Sequence, residues 1–189
     1  MKSIVRSSIV WMVALLSMNI SAQNITPKGE WIKPSNEGIQ YVGRISFKNP
    51  DSPAFTYPGT QIIARFEGTS LKMIAKPMSG YFMAQIDKAE PFKVGFNAPA
   101  DSIVTLATAL PDGTHEVRLM YIIEGYERKP EFRGFLLDEG KQLADAPTLP
   151  KRKIEFIGNS ITCGYGIEST NPREHFMDET ENHYYTYAA

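Results

Sequence analysis

A serine follows directly after an apolar stretch and a glycine in the segment Ile154–Gly166 (IEFIGNSITCGYG). Ile154–Ile157 is short and apolar, which predicts a buried strand, and Gly158 leaves room for a tight turn. Residues at the carboxyl end of a parallel strand face the crevice in which α/β proteins bind ligands. Ser160 is therefore a candidate nucleophile for acyl transfer.

The turn Gly158–Gly166 could also stabilise negative charge on a substrate. A helix or turn that starts here would point free backbone N–H groups at a developing oxyanion. Gly158, Asn159 and Gly164 are the residues expected to support this turn. Gly-Asn-Ser is also ordinary turn chemistry, so the tripeptide alone leaves a purely structural role open.

The three histidines are weaker candidates for the chemistry. His115 shares a predicted strand face with the apolar Val117 and Leu119, which predicts a packing residue of a sheet rather than the base for Ser160. His175 and His183 stand in the polar stretch HFMDETENH. Such residues can bind a metal, but their spacing fits no standard ligand pattern, so a solvated active-site loop is the favoured interpretation.

Cys163 is the single cysteine of the chain, so no intrachain disulfide can form. It lies three residues after Ser160 and could be a nucleophile in principle. No base partner for it is identifiable, and we expect a small buried thiol behind the turn.

The elements that must position the turn begin with strands between Glu30 and Asp138. Four segments alternate apolar and polar residues with a period of two, and glycine-containing turns separate them. These segments are Gln61–Glu67, Leu71–Lys76, Tyr81–Asp87 and His115–Glu124. They predict an antiparallel β-sandwich, jelly-roll-like, with almost no helix. The predicted buried positions are Ile62, Phe66, Phe82, Ile86, Val117 and Leu119.

The pattern changes after the sandwich, which we assign to residues 30–142. Leu143–Pro150 (LADAPTLP) reads as a linker because it holds two prolines and small residues. Residues 151–189 then predict a strand, a turn, a loop over Ile167–Glu179 and the opening of a helix at Tyr184–Ala189. This is the first β-α segment of an α/β domain. Without parallel neighbours for its strand, we expect residues 158–189 to be poorly packed.

Composition and the N-terminus bound the setting of the protein. A net charge of −1 argues against a nucleic-acid partner or a polybasic membrane surface. Lys2 and Arg6 precede the apolar run Ile9–Leu16, and small residues lead to Ala22, which predicts a Sec-type signal peptide over residues 1–22. The run is short for a membrane anchor, and no lipobox cysteine follows it. We expect a secreted or periplasmic protein without a stable membrane anchor after cleavage.

The segment IEFIGNSITCGYG resembles the first conserved block of the SGNH (GDSL-type) hydrolases. More narrowly, the chain resembles carbohydrate esterase family 2, whose members join an N-terminal jelly-roll to an SGNH hydrolase domain. Arg65–Met73 (RFEGTSLKM) and Pro111–Gly125 (PDGTHEVRLMYIIEG) look like the jelly-roll of that family. Glu181–Ala189 (ENHYYTYAA) looks like the start of its first hydrolase helix.

The resemblance implies a reaction and assigns roles to some residues. Ser160 matches the nucleophile, and its backbone N–H would be one oxyanion donor. Asn159 stands where many SGNH enzymes carry Asp. The other oxyanion donors, a Gly and an Asn from later blocks, and the histidine base have no match here, which implies a chain truncated early in the hydrolase domain and inactive by itself.

The implied activity is removal of O-acetyl groups from plant cell-wall polysaccharides such as xylan, so the expected partner is an acetylated poly- or oligosaccharide. The resemblance implies no metal and no organic cofactor. Two alternatives stay open at the level of sequence. One is an SGNH esterase that acts on other esters. The other is a secreted, non-catalytic β-sandwich that binds carbohydrate through exposed aromatic residues, which are plentiful here and stack well on sugars.

Overall fold

Two antiparallel sheets form the body of the protein in the computed structural model, which describes residues 28–100 and 102–189. The predicted signal peptide, residues 1–22, lies outside the described residues. Eleven strands are present in this part of the chain. They are β1 (Glu30–Ile32), β2 (Ile39–Val42), β3 (Ile45–Ser46), β4 (Ala54–Phe55), β5 (Gln61–Gly68), β6 (Leu71–Ala75), β7 (Gly80–Ile86), β8 (Phe92–Phe96), β9 (Ile103–Ala107), β10 (Gly113–Tyr121) and β11 (Phe132–Leu137).

The strand order is that of a jelly-roll. One sheet has the order β1-β11-β6-β9, and the other has the order β2-β5-β10-β7-β8, while β3 and β4 form a small separate pair. Chain connections therefore pass repeatedly from one sheet to the other, and every pairing is antiparallel. The predicted antiparallel sandwich is confirmed, because the alternating segments each form a strand with one face on a shared core.

The core lies between the sheets and contains the predicted residues. All six are at most 7% exposed: Ile62, Phe66, Phe82, Ile86, Val117 and Leu119. Edge-to-face contacts join Phe82 to Phe55, Phe96 and Tyr121, with ring centroids 5.1–6.0 Å apart. Such aromatic pairs add stability beyond the area that they bury, and they fix how the two sheets meet.

The outer face of the five-stranded sheet is buried at one place. Met83 and Ile122 alternate with core residues, so their pattern predicts exposure, yet they are only 4% and 0% exposed. Residues 181–184 of the C-terminal segment pack there. Asn182 contacts the Met83 sulfur, and the His183 N–H donates to the Ile122 carbonyl. The sheet thus has a core on one side and a docking surface for the C-terminal segment on the other.

The predicted linker is attached to the sandwich at its start. Leu143 forms an isolated β-bridge with Phe66 and packs on the core, and the Ala144 N–H donates to the Arg65 carbonyl at 2.9 Å. Residues 145–150 contain no regular element. The boundary at 142–143 therefore remains a prediction.

Two local predictions for the C-terminal segment are wrong. Ile154–Ile157 is not a strand, and Ile154 and Ile157 are 79% and 91% exposed. A strand needs a hydrogen-bonding neighbour, and no described strand lies beside these residues. The helix expected at Tyr184–Ala189 is replaced by a single 3₁₀ turn, His183–Tyr185.

The remaining helical elements are also short. They are α1 (Ser160–Cys163) and the 3₁₀ helix Asp178–Thr180. Within the described residues, none of the helices has the length and apolar character that crossing a bilayer requires.

Asp138 fixes the turn between β5 and β6 and makes stability dependent on acid pH. Its carboxylate accepts hydrogen bonds from the hydroxyl of Ser70 and from the backbone N–H of Thr69 at 2.7 Å. The Thr69 hydroxyl and the Ser70 N–H add two more. These donors lower the pKa of Asp138 from 3.8 to about 2. Its stabilisation is therefore complete above pH 3.8 and is lost as the pH falls towards 2.

We expect Asp138→Asn to lower the free energy of unfolding at pH 7 by about 1–3 kcal/mol, as loss of hydrogen bonds to a charged acceptor does. The variant should also lose less stability than the parent chain between pH 4 and pH 2.5. Thermal or urea denaturation across this range measures both effects. Asp112→Asn is the matched control, because Asp112 is exposed and pairs with Lys141 on the surface. An equal effect in the control would contradict this role of Asp138.

Candidate active site

Ser160 is the first residue of α1, a single helical turn. Asn159 is its N-cap: the backbone is extended at φ −120° and ψ −160°, and the side-chain oxygen accepts the Ile161 N–H at 3.1 Å. This cap satisfies one of the free donors with which a helix begins. Ser160 itself is exposed, and no described residue forms a hydrogen bond with its hydroxyl or with its backbone N–H.

The glycines around the turn have different physical roles. A Cβ at Gly158 would overlap the Thr162 hydroxyl, so this position is glycine because α1 folds back closely on it. Gly164 ends α1 in the left-handed conformation at φ +87°, and a Cβ there would overlap the carbonyl of Asn182. Gly166 is also left-handed, at φ +63°, but has open space around it.

Three consecutive buried polar residues, Glu181–His183, join α1 to the jelly-roll. We call them the strap. They are 0%, 0% and 7% exposed. The His183 backbone N–H donates to the Ile122 carbonyl at 2.9 Å, and its Nδ1 pairs with the Thr162 carbonyl at 2.8 Å. A hydrogen on Nδ1 makes this ring nitrogen the donor, so one residue is hydrogen-bonded to the sheet and to α1.

The burial of His183 corrects the expectation of a solvated loop at this position. Burial lowers the pKa of His183, which keeps the imidazole neutral. The polar residues beside His183 in the sequence predict exposure to solvent. In the structure, these residues are hydrogen-bonded within the contact between the strap and the sheet. His175 is exposed, as expected.

Asn182 holds the loop that follows α1. Its N–H donates to the Gly164 carbonyl at 3.1 Å, and its side-chain amide donates to Glu168 at 2.9 Å. Lys93 of β8 pairs with Glu168, and Arg128 pairs with Asp178. These ion pairs connect the jelly-roll to the loop that precedes the strap. The expectation that residues 158–189 are poorly packed is therefore wrong for the strap and for the side of α1 that contacts it, while most other residues of the segment are exposed.

Glu124, Cys163 and Glu181 form a cluster that spacing along the chain did not predict. One side-chain ligand atom from each lies within 4.8 Å of the others. The Glu124 N–H donates to Oε1 of Glu181 at 3.1 Å, while Oε2 is buried without a partner among the described residues. Burial raises the pKa of Glu181 to about 7 and that of the Cys163 thiol to about 11. A divalent cation would have to displace these protons to bind here.

Cys163 therefore matches the expectation of a thiol without nucleophilic character, because it is half-buried and the neighbouring carboxyl groups oppose its ionisation. No periodicity links residues 124, 163 and 181, since they come from three separate segments. In the sequence, the only signal for this cluster was a glutamate at position 181.

The other histidines do not reach Ser160 by hydrogen bonds. His115 is 9% exposed on β10; Nδ1 pairs with Asp87 and Nε2 with the Pro111 carbonyl, each at 2.8 Å. The expectation of a packing residue is confirmed. Tyr165 and Phe176, near His175, stack with ring centroids 4.5 Å apart. Among the described residues, none of the three histidines is hydrogen-bonded to the Ser160 hydroxyl.

The fold and the site place this chain in the class of jelly-roll proteins that carry an exposed serine turn on their surface. Comparison with known proteins identifies the family. Residues 41–147 match the family described as "Carbohydrate esterase 2 N-terminal". The chain belongs to the carbohydrate esterase 2 family. The match ends before Ser160, so it concerns the jelly-roll.

Curated relatives match a longer part of the chain than the family model does. The cellulase/esterase CelE of Acetivibrio thermocellus is 39% identical over 157 residues, which are 82% of this chain and 19% of that protein. An acetylxylan esterase / glucomannan deacetylase of Cellvibrio japonicus is 28% identical over 155 residues, or 81% and 43% of the two chains.

A solved structure shows the same fold. A family two carbohydrate esterase from Clostridium thermocellum, in complex with cellohexaose, superposes with a TM-score of 0.68 and 35% identity. The similarity covers 78% of this chain and 45% of that one. The present chain thus spans less than half of the length of each of these relatives.

The packing of Gly164 against the strap generates a testable difference between two glycines. We expect Gly164→Ala to release α1 from the strap, because the new methyl group meets the Asn182 carbonyl in addition to left-handed strain. Amide hydrogen exchange over residues 160–183 should accelerate by about tenfold or more.

Gly166→Ala is the matched control for this experiment. It introduces the same strain, costing about 1 kcal/mol, in open space. Similar exchange rates in the two variants would show that the contact between α1 and the strap does not hold this segment.

Proposed function

We propose that this chain is part of a secreted serine esterase that removes O-acetyl groups from plant cell-wall polysaccharides such as xylan. The observation that carries the proposal is the state of Ser160. In a chain of the carbohydrate esterase 2 family, its hydroxyl is exposed on a packed turn and its backbone N–H is free of other acceptors.

The chemistry assigned to Ser160 is a double displacement. A base takes the hydroxyl proton while Oγ attacks the acetyl carbonyl, and the Ser160 N–H donates to the resulting oxyanion. The base then gives the proton to the sugar oxygen, which leaves as a hydroxyl group, and Ser160 is left as an acetyl-serine. Water then attacks that ester, with its proton passing to the base, and acetate and free serine result.

The rigidity of the turn supports this role. The nucleophile must stay in a productive position relative to donors and base, and small displacements are costly. Here the Asn159 cap, the close packing of Gly158 and the His183 bond to the Thr162 carbonyl hold α1 from three sides. None of these contacts uses the serine hydroxyl.

The base and the remaining oxyanion donors are assigned, in this proposal, to hydrolase-domain segments that the longer relatives possess. The neutral, buried His183 is a support of the turn, since its Nδ1 is engaged and its ring packs against Gly59. The substrate assignment follows the relatives named for acetylxylan and glucomannan. Export through residues 1–22 completes the proposal, because polymeric substrates lie outside the cell.

Ser160→Ala should abolish acetate release from acetylated xylan by a protein that joins this chain to a family-length hydrolase domain. The expected loss in kcat is about 10⁴-fold or more, as in other serine hydrolases that lose the nucleophile. Cys163→Ser is the control, for which we expect a loss below about tenfold. A comparable loss in the control would favour the thiol, and release of longer acyl chains in preference to acetyl would point to an esterase of other substrates.

The chain of residues 1–189, tested alone after removal of the signal, should show no turnover of acetylated xylan or of an aryl acetate. A serine hydroxyl needs a base within about 2.6–3.2 Å, and no described histidine makes that contact. Acetate release by nuclear magnetic resonance measures this directly. Turnover that is removed by Ser160→Ala would contradict the expectation, while binding of unmodified polysaccharide without turnover would favour a carbohydrate-binding module.

A further inference from the structure

The carboxyl group of Glu181 has no part in the chemistry above, yet it is the most completely buried acidic group of the C-terminal segment. Its residue is 0% exposed. Oε1 accepts the Glu124 N–H, which belongs to the jelly-roll, and Oε2 has no partner among the described residues. A buried carboxylate oxygen without a hydrogen-bond partner carries a large desolvation cost if the carboxyl group is ionised.

The charged groups around Glu181 do not offset a negative charge on it. Glu124 lies in the same cluster, and Asp178 is close enough to oppose ionisation. Lys93 is the favourable neighbour, but it is already paired with Glu168. Burial is the largest effect, and together they raise the pKa of Glu181 from 4.5 to about 7.

Protonation of Glu181 removes the conflict between the charges of the cluster. It leaves the Glu124 carboxylate, which takes the Cys163 thiol as a donor, without a second negative charge within 4.8 Å. The cluster joins three segments: Glu124, which follows β10, the strap and α1. Ionisation leaves two carboxylates close together, one of them buried, and so opposes docking of the strap.

We propose that Glu181 is a positioning residue for Ser160, which holds α1 against the jelly-roll in its protonated form and loosens it on ionisation. The proposal rests on the proposed function only for its effect on turnover. Its effect on docking is independent of any reaction.

The pH dependence has a definite direction. When the strap is released, Glu181 ionises with its ordinary pKa of 4.5; when docked, it keeps its proton to about pH 7. Docking is therefore strongest below pH 4.5, weakens as the pH rises to about 7 and is level above that. His183 acts oppositely below about pH 6.5, because its charged form is disfavoured by burial. The difference between a Glu181 variant and the parent chain cancels the His183 contribution.

The experiment is hydrogen exchange over residues 160–185 of this chain at pH 5 and pH 8, corrected for intrinsic exchange rates. Glu181→Gln keeps the shape and both hydrogen-bonding roles without a titratable proton. We expect the variant to match the parent chain within about fivefold at pH 5 and to open at least about tenfold less at pH 8, since one pKa unit corresponds to tenfold.

Two further variants sharpen this test. Glu124→Gln should also reduce opening at pH 8, because it removes the repelling carboxylate. Glu174→Gln, an exposed carboxyl group in the same segment, should change nothing. Equal destabilisation by Glu181→Gln at both pH values would overturn the proposal, because it would show a purely structural role.

A cation in the cluster is the competing outcome. Addition of zinc chloride to the parent chain at pH 8 should leave the exchange rates unchanged. If zinc tightened the strap and Cys163→Ser removed the effect, the cluster would be a cation site and the proposal would be overturned.

Turnover gives the second readout. In the family-length protein, the ratio of kcat for acetylated xylan between Glu181→Gln and the parent should rise as the pH increases from about 4.5 to about 7 and stay level above that, with KM unchanged. An identical pH profile of the two proteins would contradict positioning. Absence of acetate release from the parent would instead contradict the proposed function, while leaving the exchange result to decide the docking role.

Discussion

The structure around Ser160 depends on the pair of backbone carbonyls that His183 connects. Its N–H binds the carbonyl of Ile122 on the sheet, and its ring binds the carbonyl of Thr162 inside α1. A four-residue helix has little stability of its own, because forming a first turn orders several residues for few hydrogen bonds. Tertiary contacts must supply the rest, and here the jelly-roll supplies them through the strap.

Through this arrangement the jelly-roll holds α1 in place, so it is more than an independent module. Its outer face buries Met83 and Ile122 under the strap, so the sheet is apolar on both sides at this place. Ion pairs at Lys93 and Arg128 surround the contact and satisfy polar groups at its edge. The side chains of both pairs are only 17–29% exposed, so solvent screens them less than surface pairs and they add to the buried contacts that hold the segment.

The balance of charge beneath α1 gives the contact its second physical constraint. A buried carboxyl group beside another carboxylate is stable only when one of them keeps a proton. Cys163 belongs to the same cluster and has its own ionisation suppressed by the same neighbours. The two sides of α1 therefore differ. The outer side carries the Ser160 hydroxyl, which has no hydrogen-bond partner among the described residues, while the inner side faces side chains whose ionisation is suppressed.

Much of the fold was predictable from local pattern. Phe82, Ala84 and Ile86 alternate with polar or outward residues, and a side chain that changes face at every residue makes strand phase readable from the chain itself. The serine turn was also readable, since glycine and Asn-Ser have local reasons to stand at a chain reversal. The strand predicted at Ile154–Ile157 was wrong because apolar residues alone cannot indicate whether another strand is available to pair with them.

The sequence by itself determined which strand residues face the core and that Ser160 lies in an exposed turn, because strand phase and turn formation depend on residues that are near one another in the chain. Only the tertiary structure decided the environment of Glu181 and His183. Their polar neighbours predicted solvent, yet Glu124 and Ile122, some 60 residues earlier, meet them and bury them. Burial and pKa depend on such distant contacts, since desolvation is a property of the folded surroundings rather than of the side chain.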